Sequence, residues 1–357
     1  MPPEPLFQNP PKRILLIPQR FIGDAVLTLS IIRCLKASFP SAQIHVLIPK
    51  SLVNLMEASP DIDDVLILQK RFYDNYKMLV SRQYDVALLM RRSVSQAFLL
   101  KLAGVNRIIG FRQQRFPKPL NYQPWALFLD DAVDYPRYDD TQHHLQSISA
   151  ILHPLGIQTE NAASLEKLAL NITDEDKALA QFILNKHQLQ NQKIAVLVCQ
   201  SASKEKALDV AQFVPSVQLL AQRGFQLLAL GTEADKAFYR KLSEASRTAI
   251  LNLCGETTLR QSAALYAHAQ LLFGLDSGPM HMAAAMGTPN LAIIYGPIQE
   301  QQWRPWPYDG NVTAIYHDGL TCRPCEAKVC EHNRCRTDLS GDAIAQKLQQ
   351  HLDRYLS

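Results

Sequence analysis

Between Leu271 and Tyr295 the chain passes through an apolar run, a sharp turn at Asp276-Ser277-Gly278-Pro279, a short alanine-rich helix and a second apolar run from Asn290. Two strands joined through a helix must lie parallel, because a hairpin cannot connect them that way. Parallel sheets in turn need cover on both faces, which restricts the fold to α/β architectures. Ser277 suits an N-cap, and Pro279 suits the first helical turn, where its missing N–H costs nothing. The expected helix is Met280 to Met286, closed by Gly287, with Ala283, Ala284 and Ala285 allowing close approach to the sheet. A Gly-containing turn at a helix start offers unpaired amides and the positive end of the dipole to an anion. Taken locally, an ordinary strand–turn–helix crossover reads the same way.

The rest of the chain repeats this alternation. Arg13 to Pro18, Ile44 to Ile48, Asp64 to Leu68, Asp85 to Met90 and Arg107 to Phe111 read as strands, with helices at Ala25–Ser38, Leu52–Ala58, Tyr73–Ser81 and Ser95–Leu102 between them. A second series begins at Lys193–Cys199. It continues through Phe225–Leu230 and Ile250–Leu253, with helices at Gln212–Arg223, Asp235–Ala245 and Thr258–His268. At 357 residues two domains are expected, 1–170 and 171–357. Each reads as a doubly wound sheet whose ligands meet the carboxyl ends of the strands.

Several residues fall at those ends. Asp24 follows the first strand beside Gly23 and starts a helix. It is either a plain helix cap or a carboxylate able to take a proton from a substrate hydroxyl. Arg20 shares its loop. Lys206 lies in the polar loop Gln200–Asp209, and Glu233 follows Phe225–Leu230. From Arg91 to Lys118 the chain carries Arg91, Arg92, Lys101, Arg107, Arg112, Arg115 and Lys118 without one Asp or Glu. Solvated surface charge explains such a window, and so does a wall for a polyanionic acceptor or an anionic membrane surface. His143 and His144 begin a helix that Pro154 closes, and they either face the ligand or merely end the helix.

Composition limits the function classes. The net charge of +4 is mild and no basic helix carries interleaved stacking aromatics, so no nucleic-acid partner is expected. The opening MPPEPLFQNPPKR lacks the apolar core of a signal peptide, and no later run is long enough to span a bilayer. A cytoplasmic protein is therefore expected, with its seven cysteines as thiols. Cys322, Cys325, Cys330 and Cys335 are spaced C-x2-C-x4-C-x4-C with His332 among them. That pattern fits a bound Zn²⁺ and equally fits reduced cysteines packed as small apolar residues.

RILLIPQRFIGDAVLTLSIIRCLKASFPSAQIHVLIP and DSGPMHMAAAMGTPNLAIIYGP resemble the two hallmarks of glycosyltransferase family 9, the lipopolysaccharide heptosyltransferases. CRPCEAKVCEHNRCRTDLSGDAI is similar to the cysteine-containing end of many members. The resemblance spans most of residues 12–350. It implies a GT-B fold, with two Rossmann-like domains facing across a cleft: an N-terminal acceptor domain and a C-terminal nucleotide-sugar domain. The last helix, about 342–356, would pack back on the first domain. The implied activity is inverting, metal-independent transfer of a sugar onto the inner core of lipopolysaccharide or lipooligosaccharide, usually heptose from ADP-heptose. No cofactor is implied. The partners would be an ADP-sugar, a lipid A-core acceptor and, peripherally, the cytoplasmic face of the inner membrane. The resemblance makes Asp24 the general base. Lys206, Glu233, Asp276, Ser277, Gly278, Met280 and His281 would be the donor residues, while positive charge makes Arg20, Arg91, Arg92, Arg112 and Arg115 the expected acceptor residues. Two departures lie near the donor, Cys199-Gln200-Ser201-Ala202-Ser203 after the first strand of the second domain and Leu208-Asp209 after the lysine. They leave the identity of the transferred sugar open, and the altered loop permits a catalytically silent nucleotide-sugar-binding protein. The other alternative, a nucleotide-sugar enzyme of epimerase type, would carry extra acid/base carboxylates around the donor, which the sequence does not show.

Overall fold

The computed structural model describes residues 10–113, 123–135, 142–159, 165, 168, 170–298, 300–306, 308–323, 325 and 330–356. The chain divides into two compact units, Met1–Asn171 and Ile172–Ser357.

The first unit is a six-stranded sheet of β1 (Arg13–Ile17), β2 (Gln43–Ile48), β3 (Asp64–Ile67), β4 (Val86–Leu89), β5 (Arg107–Gln113) and β6 (Asp131–Tyr135). All neighbours are parallel and the order is β3-β2-β1-β4-β5-β6. The central strands are almost wholly apolar because helices cover both faces. The strand β6 escaped the sequence reading. Its residues Asp131-Ala132-Val133-Asp134-Tyr135 are half-buried and mix polar with apolar side chains at the edge of the sheet.

The second unit repeats the plan with β7 (Ile194–Val198), β8 (Gln226–Ala229), β9 (Ile250–Asn252), β10 (Leu271–Leu275), β11 (Asn290–Ile294) and β12 (Asn311–Ile315). Its order is β12-β11-β10-β7-β8-β9, again all parallel. β12 is likewise an edge strand that the sequence reading omitted. In each sheet the winding reverses between two central neighbours, β1 with β4 and β7 with β10. Loops leave such a pair in opposite directions and open a crevice at the carboxyl edge.

Each unit has its own apolar core, Leu15, Ile17, Leu47, Leu89 and Leu100 in the first, and Leu197, Phe213, Phe273 and Ile294 in the second. The last helix, Gly341–Tyr355, was expected to pack on the first domain. Its buried residues Ile344, Leu348 and Leu352 belong to the second unit's core. His351 on the same helix is buried, with Nδ1 2.8 Å from the Thr313 hydroxyl of β12. Among the described residues no helix is long and apolar enough to cross a membrane.

Gly274 sits opposite Val198 where β10 meets β7. A Cβ built there would lie 2.1 Å from the Val198 carbonyl oxygen, which is backbone and cannot swing away. Gly274→Ala should therefore destabilise the protein by about 1–3 kcal/mol, the usual cost of overpacking, read as a lower urea midpoint at unchanged slope. His351 generates a pH dependence. Burial pushes its pKa down to about 4. The unfolded chain therefore takes up a proton near pH 6.5 that the folded chain refuses, and stability must fall as pH drops from there toward 4. His351→Gln should flatten that part of the profile in melts run across the range.

Candidate active site

The first unit's candidate residues gather at its reversal point. Asp24 lies in the first turn of the helix Ile22–Ser38, whose N-cap is Phe21. The expected helix start at Ala25 was late, and Asp24 is not the cap. Its side chain, 7 % exposed, is turned to His144, with Oδ1 3.1 Å from Nε2. The other ring nitrogen of His144 is 3.0 Å from the Tyr135 hydroxyl. One tautomer satisfies both contacts: the tyrosine O–H donates to Nδ1, and Nε2–H donates to the carboxylate. A buried carboxylate, a buried imidazole and a half-buried phenol thus form one chain drawn from the helix start after β1, the helix His144–Ser149 and the end of β6. The histidine helix is set by its own N-cap, where the Leu145 amide donates to His143 Nδ1 at 3.0 Å. His143 therefore serves the helix, and His144 the site.

The arginines around this chain differ in their partners. Burial and the neighbouring Arg20 together push the Arg91 guanidinium down to about 10, which puts two cations close together beyond β1 and β4. Arg92 lies over the Tyr135 ring, 5.8 Å from its centroid. Arg112 departs from the expected wall: its Nε donates to Asp134 at 2.6 Å across the β5–β6 register. Lys101 and Arg107 pair in the same way with Asp130 and Asp131. Lys101, Arg107 and Arg112 of the acid-free window are thus paired with the acidic segment that follows it, while Arg92 touches the Tyr135 ring and Arg91 lies beside Arg20. Arg115 lies outside the described residues, as does Lys118.

The second unit's reversal point holds Lys206 and Asp276. Lys206 Nζ lies 2.6 Å from Asp276 Oδ2 and 3.2 Å from the Asp276 carbonyl oxygen. Burial raises the Asp276 pKa, and the Lys206 charge opposes that rise. Lysine has three N–H donors, so one remains for an incoming oxyanion. Immediately beyond is the helix Gly278–Ala285, with Pro279 in its first turn. Ser277 holds the N-cap position, yet its hydroxyl donates to the Leu275 carbonyl at 3.2 Å instead of capping a helix amide. The first turn is thus left without the side-chain cap that the sequence suggested. Met280 and His281 are buried behind it. Glu233, after β8, is exposed and pairs with Lys236 at 3.0 Å. Its backbone packs on Gly255, whose φ of +75° and lack of a side chain permit the approach.

Three supports of these loops come from elsewhere in the sequence. Tyr239, fully buried, accepts from the Cys199 amide at 2.7 Å and donates to the Leu197 carbonyl at 3.0 Å, fixing the end of β7 where the altered loop departs. Arg336, in the cysteine tail, donates to the carbonyls of Lys204 and Ala207 on either side of Lys206. Arg323 similarly holds the Gly296 and Ile298 carbonyls at 2.9 and 3.1 Å. The tail thereby braces the loops after β7 and β11. Its cysteines form no disulfide, and the Asn333 amide donates to Cys330 Sγ at 3.3 Å. Among the described residues no three His, Cys, Asp or Glu side chains are grouped to hold a metal ion.

Comparison with known proteins shows the family and the fold. Lipooligosaccharide heptosyltransferase 2 of Haemophilus ducreyi is 25 % identical over 371 residues, covering 95 % of this chain and 99 % of its own. The crystal structure of a glycosyl transferase family 9 protein from Veillonella parvula matches with a TM-score of 0.76 at 19 % identity, over 96 % of this chain and 97 % of that one. The structure of the ADP-heptose LPS heptosyltransferase II of Escherichia coli matches with a TM-score of 0.73 at 21 % identity, over 97 % and 100 %. These likenesses establish the GT-B fold. The model of glycosyltransferase family 9 (heptosyltransferase) matches residues 74–335, well over half of the chain, and the protein is therefore a glycosyltransferase that belongs to that family.

Proposed function

We propose that the protein transfers heptose from ADP-heptose to the inner core of lipopolysaccharide or lipooligosaccharide, with inversion at the anomeric carbon. The observation that carries the reading is the Lys206–Asp276 pair at the start of the Gly278–Ala285 helix, an anion-binding arrangement at a sheet reversal point. The relatives named for heptosyl transfer span nearly the whole chain and support the donor and acceptor class.

On this reading the second unit holds the donor. The remaining Lys206 N–H and the amides of the Ser277–His281 turn take the diphosphate, while Glu233 accepts from the ribose hydroxyls. The charge that grows on the departing diphosphate meets groups already in place, which is how preorganised donors lower a barrier. The first unit supplies the base. Asp24 takes the acceptor hydroxyl's proton as that oxygen attacks the anomeric carbon from the face opposite the diphosphate. The His144 N–H holds one carboxylate oxygen and leaves the other for the hydroxyl. Arg20, Arg91 and Arg92 attract acceptor phosphates and carboxylates. The protein works at the cytoplasmic face of the inner membrane, on an acceptor anchored there by its lipid. No residue in this scheme calls for a metal ion.

The decisive experiment incubates the purified protein with ADP-heptose and a truncated core acceptor and reads the acceptor's mass. A gain of one heptose supports the proposal; an altered donor with an unchanged acceptor would sink it. Asp24→Asn should lower kcat by about 10²–10⁴-fold with ADP affinity unchanged, since asparagine keeps the size and loses the base. His144→Ala should lower kcat by about tenfold or more through a misplaced carboxylate, and His144→Gln should recover part of the loss. A separate calorimetric titration checks the donor side. Lys206→Met should weaken ADP binding by roughly 10–100-fold, the worth of about one charged hydrogen bond, and should also lower the melting temperature in the absence of ligand, because it leaves the buried Asp276 without its partner.

A further inference from the structure

The first unit carries apolar side chains that its own core does not use. In the helix Val94–Leu102, Ala97, Leu99 and Leu100 are buried, while Val94, Phe98 and Leu102 stand one turn apart on the outside, 41 %, 45 % and 49 % exposed. The neighbouring helix Phe72–Val80 begins with Phe72, which stacks on Phe98 with ring centroids 6.0 Å apart. Phe98 in turn meets Phe128 edge-on at 5.7 Å. Tyr73 and Leu127, 60 % and 78 % exposed, lie on the same helix and turn as Phe72 and Phe128. Single exposed apolar residues need no explanation; a ring-to-ring patch across three elements does.

The same elements are rich in basic residues. Lys70 and Arg71 immediately precede Phe72, Lys77 lies 4.7 Å from the Tyr73 ring centroid, and Lys101 neighbours Leu102; all are exposed. The acids nearby are Asp74 and Asp130, the latter bonded to Lys101. We propose that this face seats the protein on a bilayer containing anionic lipid. Its rings and aliphatic side chains would enter the headgroup region while the lysines and arginine meet lipid phosphates. A second copy of the chain fits less well, because a two-fold interface would set this basic rim against itself. The Lys70–Phe72 segment and Val94 follow the carboxyl ends of β3 and β4, the edge of the sheet that also carries Asp24. A lipid-borne acceptor seated here would present its sugar to that edge. The inference rests on the proposed lipid-linked acceptor, but its test does not use transfer.

The test sediments the full chain with vesicles of phosphatidylethanolamine and phosphatidylglycerol, and separately with vesicles of phosphatidylcholine. Binding to the anionic vesicles is expected, weakening as salt rises from about 50 to about 500 mM. Phe72→Ser with Phe98→Ser, and separately Lys70→Glu with Arg71→Glu, should each reduce partitioning roughly tenfold. Both variants should keep the melting temperature and the rate on a delipidated core oligosaccharide. Equal or absent binding to the two vesicle types overturns the proposal. So does a dimer in light scattering that the phenylalanine variant converts to monomer, which would make the patch a chain–chain interface. Vesicle binding by a protein that transfers no heptose would keep this surface and remove only the proposed reaction.

Discussion

Two strand contacts govern the rest of the molecule: β1 against β4 in one sheet and β7 against β10 in the other. At each, two buried parallel strands meet whose following helices lie on opposite faces. The chain cannot close the gap it leaves at their carboxyl ends, so polar groups collect there without being forced into the core. Asp24 and Arg91 follow one contact, and Lys206 and Asp276 the other. The intolerance of Gly274 for a side chain shows how tightly the second contact is drawn. A sheet wound in one direction only would have covered these positions with helix.

The buried polar groups at those ends are held in different ways. In the second unit an ion pair does the work. Desolvation alone would make Asp276 hard to ionise, and Lys206 offsets part of that penalty. A bound diphosphate would meet a lysine whose charge is already shared. In the first unit the carboxylate is held by hydrogen bonds along a chain of histidine and tyrosine, which fixes its direction.

What the sequence disclosed follows from the range of the signals it carries. Strands and helices of the sheet centres were legible because buried parallel strands are continuous apolar runs. Of the four edge strands, β3 and β9 were legible from short apolar runs, whereas β6 and β12 were not, because aspartates break the first and Asn311 and Thr313 the second. Asp24, Lys206, Asp276 and Glu233 were legible as polar residues in loops that follow apolar runs. The contact of Asp24 with His144 spans 120 residues, and no local pattern encodes it. Tyr135 was hidden with its strand. The basic window misled for the same reason: its acids lie just beyond it, and only the pairing of β5 with β6 brings Asp134 to Arg112. The aromatic patch was invisible because an outward Phe at helical spacing looks like an inward one until burial is known.

The brace that Arg336 places on the loop carrying Lys206 has a consequence for how the protein is made. Some 130 residues separate the two, and the helix that completes the same core runs to Tyr355. During synthesis the first unit's sheet is complete once β6 has left the ribosome, and it can shape its carboxylate site early. The second unit has its lysine long before it has the arginine that positions it. The loop that carries Lys206 therefore gains its brace only after the tail has been made.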